Sequence, residues 1–170
     1  MLSGEKLKMS NEVQEKVYKL FAQLNIPYEV VEHEALLSQA DNEKNPRNID
    51  GVILKNLFIR NKAKNKYYLY VLPLEKRADL KELSDCLGNS RFSFGNDVEL
   101  EAKLGIRPGS VSLLNIIGVE TTDVTFVIDR EVYDHDRISL HPNDNTASMI
   151  FSPDVMTTIL DHYNAKYILV

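Results

Sequence analysis

The first residue whose type and position suggest chemistry is Lys55, which interrupts an apolar run. Residues 52–59 and 67–72 have the composition of two strands joined by a polar turn, and Asn56 follows the lysine directly. A lysine held on a strand can bind phosphate as a fixed point charge, or stabilise an oxyanion as it develops. An edge-strand lysine that discourages aggregation is the alternative, and the residue taken alone favours that alternative.

A second candidate is the segment LGIRPGSV, residues 104–111. Gly105 and Gly109 flank Pro108, which predicts a stiff turn whose backbone can come close to a ligand. Backbone N–H groups in such a turn could hold a carbonyl group or an amino acid. A tight connection between a helix and a strand is the commoner explanation of such a turn.

A third candidate is the segment LHPNDNTAS, residues 140–148. His141 precedes a proline, which favours an extended backbone for the histidine. The following positions offer many hydrogen-bonding groups at one predicted strand end: Asn143, Asp144, Asn145 and Thr146. For the histidine alone, a structural donor is the better reading.

Several common catalytic motifs are missing from the sequence. It contains no GxSxG, P-loop, GxGxxG or HExxH pattern. Cys86 falls in a predicted amphipathic helix, where a structural thiol is the default reading. The histidines lack metal-ligand spacing: His33, His135, His141 and His162. We therefore expect no metal, no cofactor and no covalent intermediate.

Bulk composition is that of a single globular domain. The 170 residues are 44% hydrophobic and 26% charged, and we expect one domain over residues 1–170, with residues 1–9 as a flexible tail. One cysteine, no signal-peptide pattern and no apolar run of about 20 residues predict a cytoplasmic protein.

The net charge of −5 argues against a protein that coats nucleic acid non-specifically, although it leaves room for a local basic patch. Cations do cluster after Lys55: Arg60, Lys62, Lys64, Lys66, Lys76 and Arg77. A solvated hairpin turn is the simpler explanation of that cluster.

Helices and strands alternate without strict βαβ order, which predicts a mixed sheet flanked by helices. Helices are predicted from the N-caps Ser10 or Asn11 to Leu24, over 79–87, from Asn96 or Asp97 to Leu104, and after Ser152. Strands are predicted at 28–33, in the hairpin, and at 91–94, 111–117, 124–129, 137–140, 147–151 and 166–170. Residues 35–48 are ambiguous.

The order of the motifs is more specific than any one of them. An apolar-flanked Lys-Asn-Leu-Phe, a D-L-K-x-L, a G-x-x-P-G-S-V turn and an H-P-x-x-N-T strand end follow one another between residues 26 and 163. This series resembles the YbaK/prolyl-tRNA synthetase-associated editing domains, and more narrowly the free-standing prolyl-tRNA editing proteins that deacylate alanyl-tRNA(Pro).

The resemblance implies a mixed α/β fold with a curled, largely antiparallel sheet or barrel and surrounding helices. It implies an enzyme, an aminoacyl-tRNA deacylase that hydrolyses the ester on mischarged tRNA(Pro) without a metal, helped by the vicinal ribose hydroxyl of the substrate. Lys55 and His141 match catalytic positions. The positions that match substrate-binding residues are Asn56, Gly105, Pro108, Gly109, Ser110, Asn145 and Thr146.

Two departures from the family pattern bear on the substrate. Ser112-Leu113-Leu114 stands where relatives usually have T-P-F, and Asn143-Asp144 follows the His-Pro pair. Serine or cysteine on tRNA(Pro) is therefore an alternative to alanine. Two other classes stay open, a non-catalytic module that binds tRNA or a synthetase, and an amino-acid sensor. Prolyl-tRNA synthetase or an elongation factor is a candidate partner for substrate delivery.

Overall fold

The computed structural model describes residues 2–34, 50–106, 109, 111–119, 122–142 and 146–170, with side chains from residue 12 onward. Its α-helices are α1 (Leu2–Gln23), α2 (Leu80–Cys86), α3 (Asp97–Leu104) and α4 (Asp154–His162), and its 3-10 helices are Leu113–Ile116 and Arg130–Asp134. Its strands are β1 (Glu29–Glu32), β2 (Val52–Asn61), β3 (Tyr67–Pro73), β4 (Phe92–Phe94), β5 (Val124–Ile128), β6 (Ile138–Leu140), β7 (Ala147–Phe151) and β8 (Tyr167–Leu169).

The strands form one eight-stranded mixed sheet in the order β1-β7-β6-β2-β3-β5-β8, with β4 also paired to β2. Four of the seven pairings described are antiparallel, and the pairs β2–β6, β3–β5 and β5–β8 are parallel. The predicted mixed sheet with surrounding helices is therefore confirmed.

Local capping signals explain where the central helices begin and end. The side chain of Asp79 accepts a hydrogen bond from Glu82 N at the start of α2. Asn96 and Glu99 form a reciprocal capping box at the start of α3, which satisfies backbone donors that the helix leaves unpaired. Gly105 ends α3 in the left-handed conformation, with φ of 66°, which a residue without a Cβ adopts at little cost.

Two of the predicted elements were wrong. Residues 111–117 do not form a strand, because Ser112 and Asn115 form a capping box around the 3-10 helix Leu113–Ile116. The first helix begins at Leu2 rather than after Ser10 or Asn11. The flexibility expected for residues 1–9 stays a prediction. Residues 35–48, which were ambiguous in the sequence, lie entirely outside the described residues.

The sheet carries hydrophobic clusters on both faces. The larger cluster joins α1, α3, α4 and the 3-10 helix Leu113–Ile116 to one face, which includes Leu54 and Phe58 of β2. The smaller cluster packs Leu83 of α2 and Ile59 against Leu72 on the other face. Because side chains alternate along a strand, Lys55 points to the face of the smaller cluster. None of the described helices is long and apolar enough to cross a membrane.

Candidate functional site

Lys55 lies on β2 directly opposite Leu72 of β3 and is partly buried. It has no ion-pair partner within 4.0 Å among the described residues. Burial of the ammonium lowers the pKa of Lys55 below its ordinary value, and the negative charge of Glu75 offsets only part of that shift. Within the part of the chain that the structure describes, the sheet thus presents a cation that no carboxylate contacts.

The position of β2 does not fit the edge-strand explanation of Lys55. This strand lies inside the sheet, with β3 along one side and both β6 and β4 along the other. The partner β6 pairs only with Val52 and Ile53, and β4 pairs only from Ile59 onward. The sheet therefore opens on this side of β2, at the level of Lys55.

Lys55 and His141 lie the same number of residues past the last pair of β2 and β6. Ile53 pairs with Ser139 in the parallel β2–β6 ladder, and two further residues along each strand lead to Lys55 and His141. Side chains that are level on neighbouring strands point to the same face. These two residues, predicted from the sequence to be catalytic, therefore flank the point where β2 and β6 separate.

The same row continues across β7 to the end of β1. Leu140 pairs with Met149, and one further step in this antiparallel register would bring His141 level with Ser148. Ser148 pairs with Val31 on its other side. His33 lies two residues beyond Val31, and its Nε2 is 2.8 Å from Ser148 Oγ. We call the set Lys55, His141, Ser148 and His33 the polar row.

Asn56 faces the opposite side of the sheet from Lys55 because it is the next residue on the strand. Its Oδ1 accepts a hydrogen bond of 2.9 Å from the backbone N of Leu113. This bond holds the 3-10 helix, and thus the end of the preceding glycine turn, close to β2. A direct contact of Asn56 with substrate stays a prediction.

The glycine turn is described only in part. Gly105 and Gly109 have positive φ, of 66° and 86°, and an added Cβ would meet no atom within 4 Å at either position. Backbone conformation, not crowding, therefore favours glycine at both positions. Pro108 and Ser110 lie outside the described residues, so their predicted role in substrate binding stays a prediction.

The strand end after β6 is also described in part. Thr146 is exposed, and its backbone oxygen accepts a 2.9 Å hydrogen bond from His33 N. This bond places Thr146 at the end of the polar row. Asn145, with Asn143 and Asp144, lies outside the described residues, and its predicted role likewise stays a prediction.

Two members of the polar row, His33 and Ser148, were not identified as site residues from the sequence. They are 115 positions apart, and only the pairing of β1 with β7 brings them together. Cys86 is exposed at the end of α2 and is not one of the residues of the polar row. Within the described residues, no group of three or more His, Cys, Asp or Glu side chains could hold a metal ion.

Comparisons with known proteins agree with this architecture. The aminoacyl-tRNA editing domain model matches residues 42–159. Prolyl-tRNA editing protein ProX of Acetoanaerobium sticklandii is 30% identical over 153 residues, which cover 89% of this chain and 93% of that protein. Prolyl-tRNA synthetase associated domain-containing protein 1 of Bos taurus is 28% identical, over 82% of this chain and 83% of that protein.

A solved structure, named as a candidate trans-editing enzyme for prolyl-tRNA synthetase, shares the fold. The superposition has a TM-score of 0.66 at 15% identity and covers 92% of this chain and 94% of that chain.

Proposed function

Because this chain belongs to the aminoacyl-tRNA editing domain family and is an enzyme of the aminoacyl-tRNA deacylase class, we propose that it removes wrongly attached amino acids from tRNA(Pro), with alanine as its main target. The observation that carries the proposal is the partly buried ammonium of Lys55, which no carboxylate contacts among the described residues. It lies where the sheet opens, two residues past the last β2–β6 pair, as His141 does. The substrate is an ester at the end of a polyanion. A cation beside that ester can bind the adjacent phosphate or stabilise the charge that develops on the carbonyl oxygen.

The reaction is hydrolysis of one ester. Water adds to the carbonyl carbon of the aminoacyl group, the bond from that carbon to the ribose oxygen breaks, and the products are a free amino acid and a tRNA with its terminal hydroxyl restored. Lys55 binds the adjacent phosphate or the carbonyl oxygen as its negative charge grows. The vicinal ribose hydroxyl positions the water, so the chain needs neither a nucleophile of its own nor a metal.

Selection for alanine follows from size. Alanine is smaller than proline, so a synthetase pocket built for proline admits it, and a hydrophobic pocket gains little discrimination from a few missing methylenes. A second site that accepts alanine and excludes proline corrects the error. Ser112, Leu113 and Leu114 are fully buried, so the glycine turn is attached to a rigid part of the core.

Contact with the tRNA strand is proposed for the end of the β2–β3 hairpin. Lys62, Lys64, Lys66 and Arg91 are exposed there, and none has an ion-pair partner among the described residues. Lys62 lies about 23 Å from Lys55 at the usual rise of a strand. These cations fit the phosphates of the RNA strand that carries the ester, which would give an acidic protein a local site for tRNA.

The proposal is tested by deacylation of tRNA(Pro) charged separately with alanine, serine, cysteine and proline. We compare the wild type with Lys55→Met, which removes the ammonium and keeps much of the side-chain volume. Lys81→Met is the matched control, because Lys81 is exposed on α2. We expect alanine to be released fastest and Lys55→Met to reduce kcat about 10²–10³-fold, the usual effect of removing one electrostatic stabiliser.

The outcomes separate the alternatives. Release of serine or cysteine instead of alanine would support the proposed deacylase reaction but contradict the proposed specificity for alanine. If a folded wild-type protein leaves all four esters as stable as buffer does, the deacylase proposal fails. Tight tRNA binding in that case would point to a non-catalytic module.

The hairpin surface has its own test. Replacing Lys62, Lys64 and Lys66 with serine should weaken tRNA binding and flatten the dependence of log Kd on log salt concentration by about 2–3. An unchanged salt dependence would remove this surface from the proposed tRNA site.

A further inference from the structure

His33 is held at three points across the β1–β7 pair. Its backbone N donates to Thr146 O at 2.9 Å. Its ring nitrogens lie 2.8 Å from Glu34 O and 2.8 Å from Ser148 Oγ. Because both ring nitrogens have a partner at this distance, the ring of His33 is fixed in position and in rotation.

The partners determine where the protons lie. A carbonyl oxygen only accepts, so Nδ1 of His33 carries the proton that it donates to Glu34 O. In the neutral ring Nε2 is then an acceptor, and Ser148 donates its hydroxyl proton to it. A serine hydroxyl has one proton, so Ser148 presents only lone pairs to any other neighbour.

Ser148 is well placed to pass this constraint on. It is fully buried on β7, and one step past the last β6–β7 pair, Leu140 with Met149, the same register would bring it level with His141. Residues level with each other on antiparallel strands have Cα atoms about 4.5–5.5 Å apart. The Ser148 oxygen can accept a further hydrogen bond but cannot donate one. It therefore favours a His141 tautomer in which the ring nitrogen that faces it carries a proton.

We infer that His33 is a positioning residue of the editing site, which acts through Ser148 on His141 and through its backbone on Thr146. His33 keeps Ser148 as an acceptor, Ser148 selects the tautomer and rotation of His141, and the His33–Thr146 bond fixes the strand end beside the substrate. This inference rests on the proposed deacylase function. The competing role for His33 is a simple link between two strands, without influence on His141.

The experiment measures kcat and KM on alanyl-tRNA(Pro) for His33→Ala, Ser148→Ala, the double variant and His33→Gln. We expect each alanine variant to lower kcat about tenfold, the factor that one net hydrogen bond is worth, with KM nearly unchanged. The double variant should be no slower than the slower single variant, because both act through one bond. His33→Gln should recover most of kcat, since its side-chain oxygen can accept the Ser148 proton.

Val31→Ala is the matched control, since Val31 pairs directly with Ser148 but offers no hydrogen bond from its side chain. It should lower the thermal midpoint without lowering kcat. If His33→Ala behaves like Val31→Ala, or if the effects of the two single variants on kcat multiply in the double variant, the positioning role is wrong.

A spectroscopic readout makes the test independent of the substrate. The ¹⁵N chemical shifts of the His141 ring report its tautomer, and we expect them to change in Ser148→Ala and in His33→Ala but not in Val31→Ala. A changed tautomer in a protein that hydrolyses none of the four esters would overturn the proposed function and keep the His33–Ser148–His141 link. Unchanged His141 shifts in both variants would overturn the link itself.

Discussion

Asn56→Ala is the substitution whose consequence follows most directly from the structure. The Oδ1 of Asn56 accepts a hydrogen bond of 2.9 Å from the backbone N of Leu113, and Leu113 is fully buried. Alanine removes the acceptor and leaves this N–H without that partner. Asn56→Asp is the matched variant, because its carboxylate oxygen keeps an acceptor at the same position.

An unsatisfied buried donor costs about 1–3 kcal/mol of the free energy of unfolding. For a domain of this size each kcal/mol lowers Tm by about 2–4 °C, so we expect Asn56→Ala to lower Tm by about 2–12 °C. Asn56→Asp should retain more of the wild-type Tm. Below the unfolding transition, kcat should change far less than in Lys55→Met, because the side chain of Asn56 faces away from Lys55.

Thermal melts, urea unfolding and alanyl-tRNA(Pro) deacylation at 25 °C measure these effects on the same preparations. A wild-type unfolding midpoint in Asn56→Ala would refute the reasoning, since it would mean that the bond to Leu113 contributes nothing. If KM then rises, the amide acts on the substrate, as the family resemblance predicts.

Three other substitutions have effects on stability that the structure predicts. Lys76→Met removes hydrogen bonds of 2.8 and 2.9 Å to Asp129 and Glu131, and should cost about 1–3 kcal/mol at neutral pH in urea unfolding. Burial alone would raise the pKa of Asp129, but the hydrogen bonds from Lys76, the Glu131 N–H and Tyr70 lower it. The stability that the Asp129 carboxylate contributes is therefore present above about pH 4 and is lost as the pH falls through the lowered pKa. Asp129→Asn should accordingly be less stable than the wild type at neutral pH, and this difference should disappear in acid. Gly95→Ala would place a Cβ 2.5 Å from the Phe58 ring and should lower the free energy of unfolding by about 1–3 kcal/mol. Ser93→Ala, on the exposed side of β4, should cause no such loss. Equal urea midpoints for the two variants would contradict this packing argument.

The sequence predicted best what is determined locally. Asp79 and Asn96 each cap a helix through a bond to a residue three positions away, and such a signal is contained in a few letters. The 3-10 helix at Leu113–Ile116 also has a local signal, the Ser112–Asn115 pair, but the high β-propensity of the apolar residues around it favoured a strand. Residue types that fit a strand also fit a buried turn, so composition alone could not separate the two.

The site was predictable to the extent that motif order carries information. Lys55 and His141 are 86 positions apart in the sequence and were grouped only through the resemblance to a family. In the structure each lies two residues past the last β2–β6 pair, and their catalytic role stays a prediction. The contact of His33 with Ser148 had no such signal, because His33 lies in no motif and the contact depends on which strand pairs with β7. Strand pairing over such separations depends on the whole fold, which a single sequence does not state.

Lys55 and Asn56 are neighbours on β2 whose expected effects on stability have opposite signs. The lowered pKa of Lys55 means that folding disfavours its charged form, so at neutral pH the ammonium costs stability, and that cost is relieved only as the pH rises towards the ordinary lysine value. Asn56 stabilises the same strand through Leu113. Lys55→Met should therefore lose most of its activity yet be at least as stable as the wild type, and Asn56→Ala should be active yet less stable. A cation kept at a cost in stability, at the point where the sheet opens, is what a site for an anionic substrate requires.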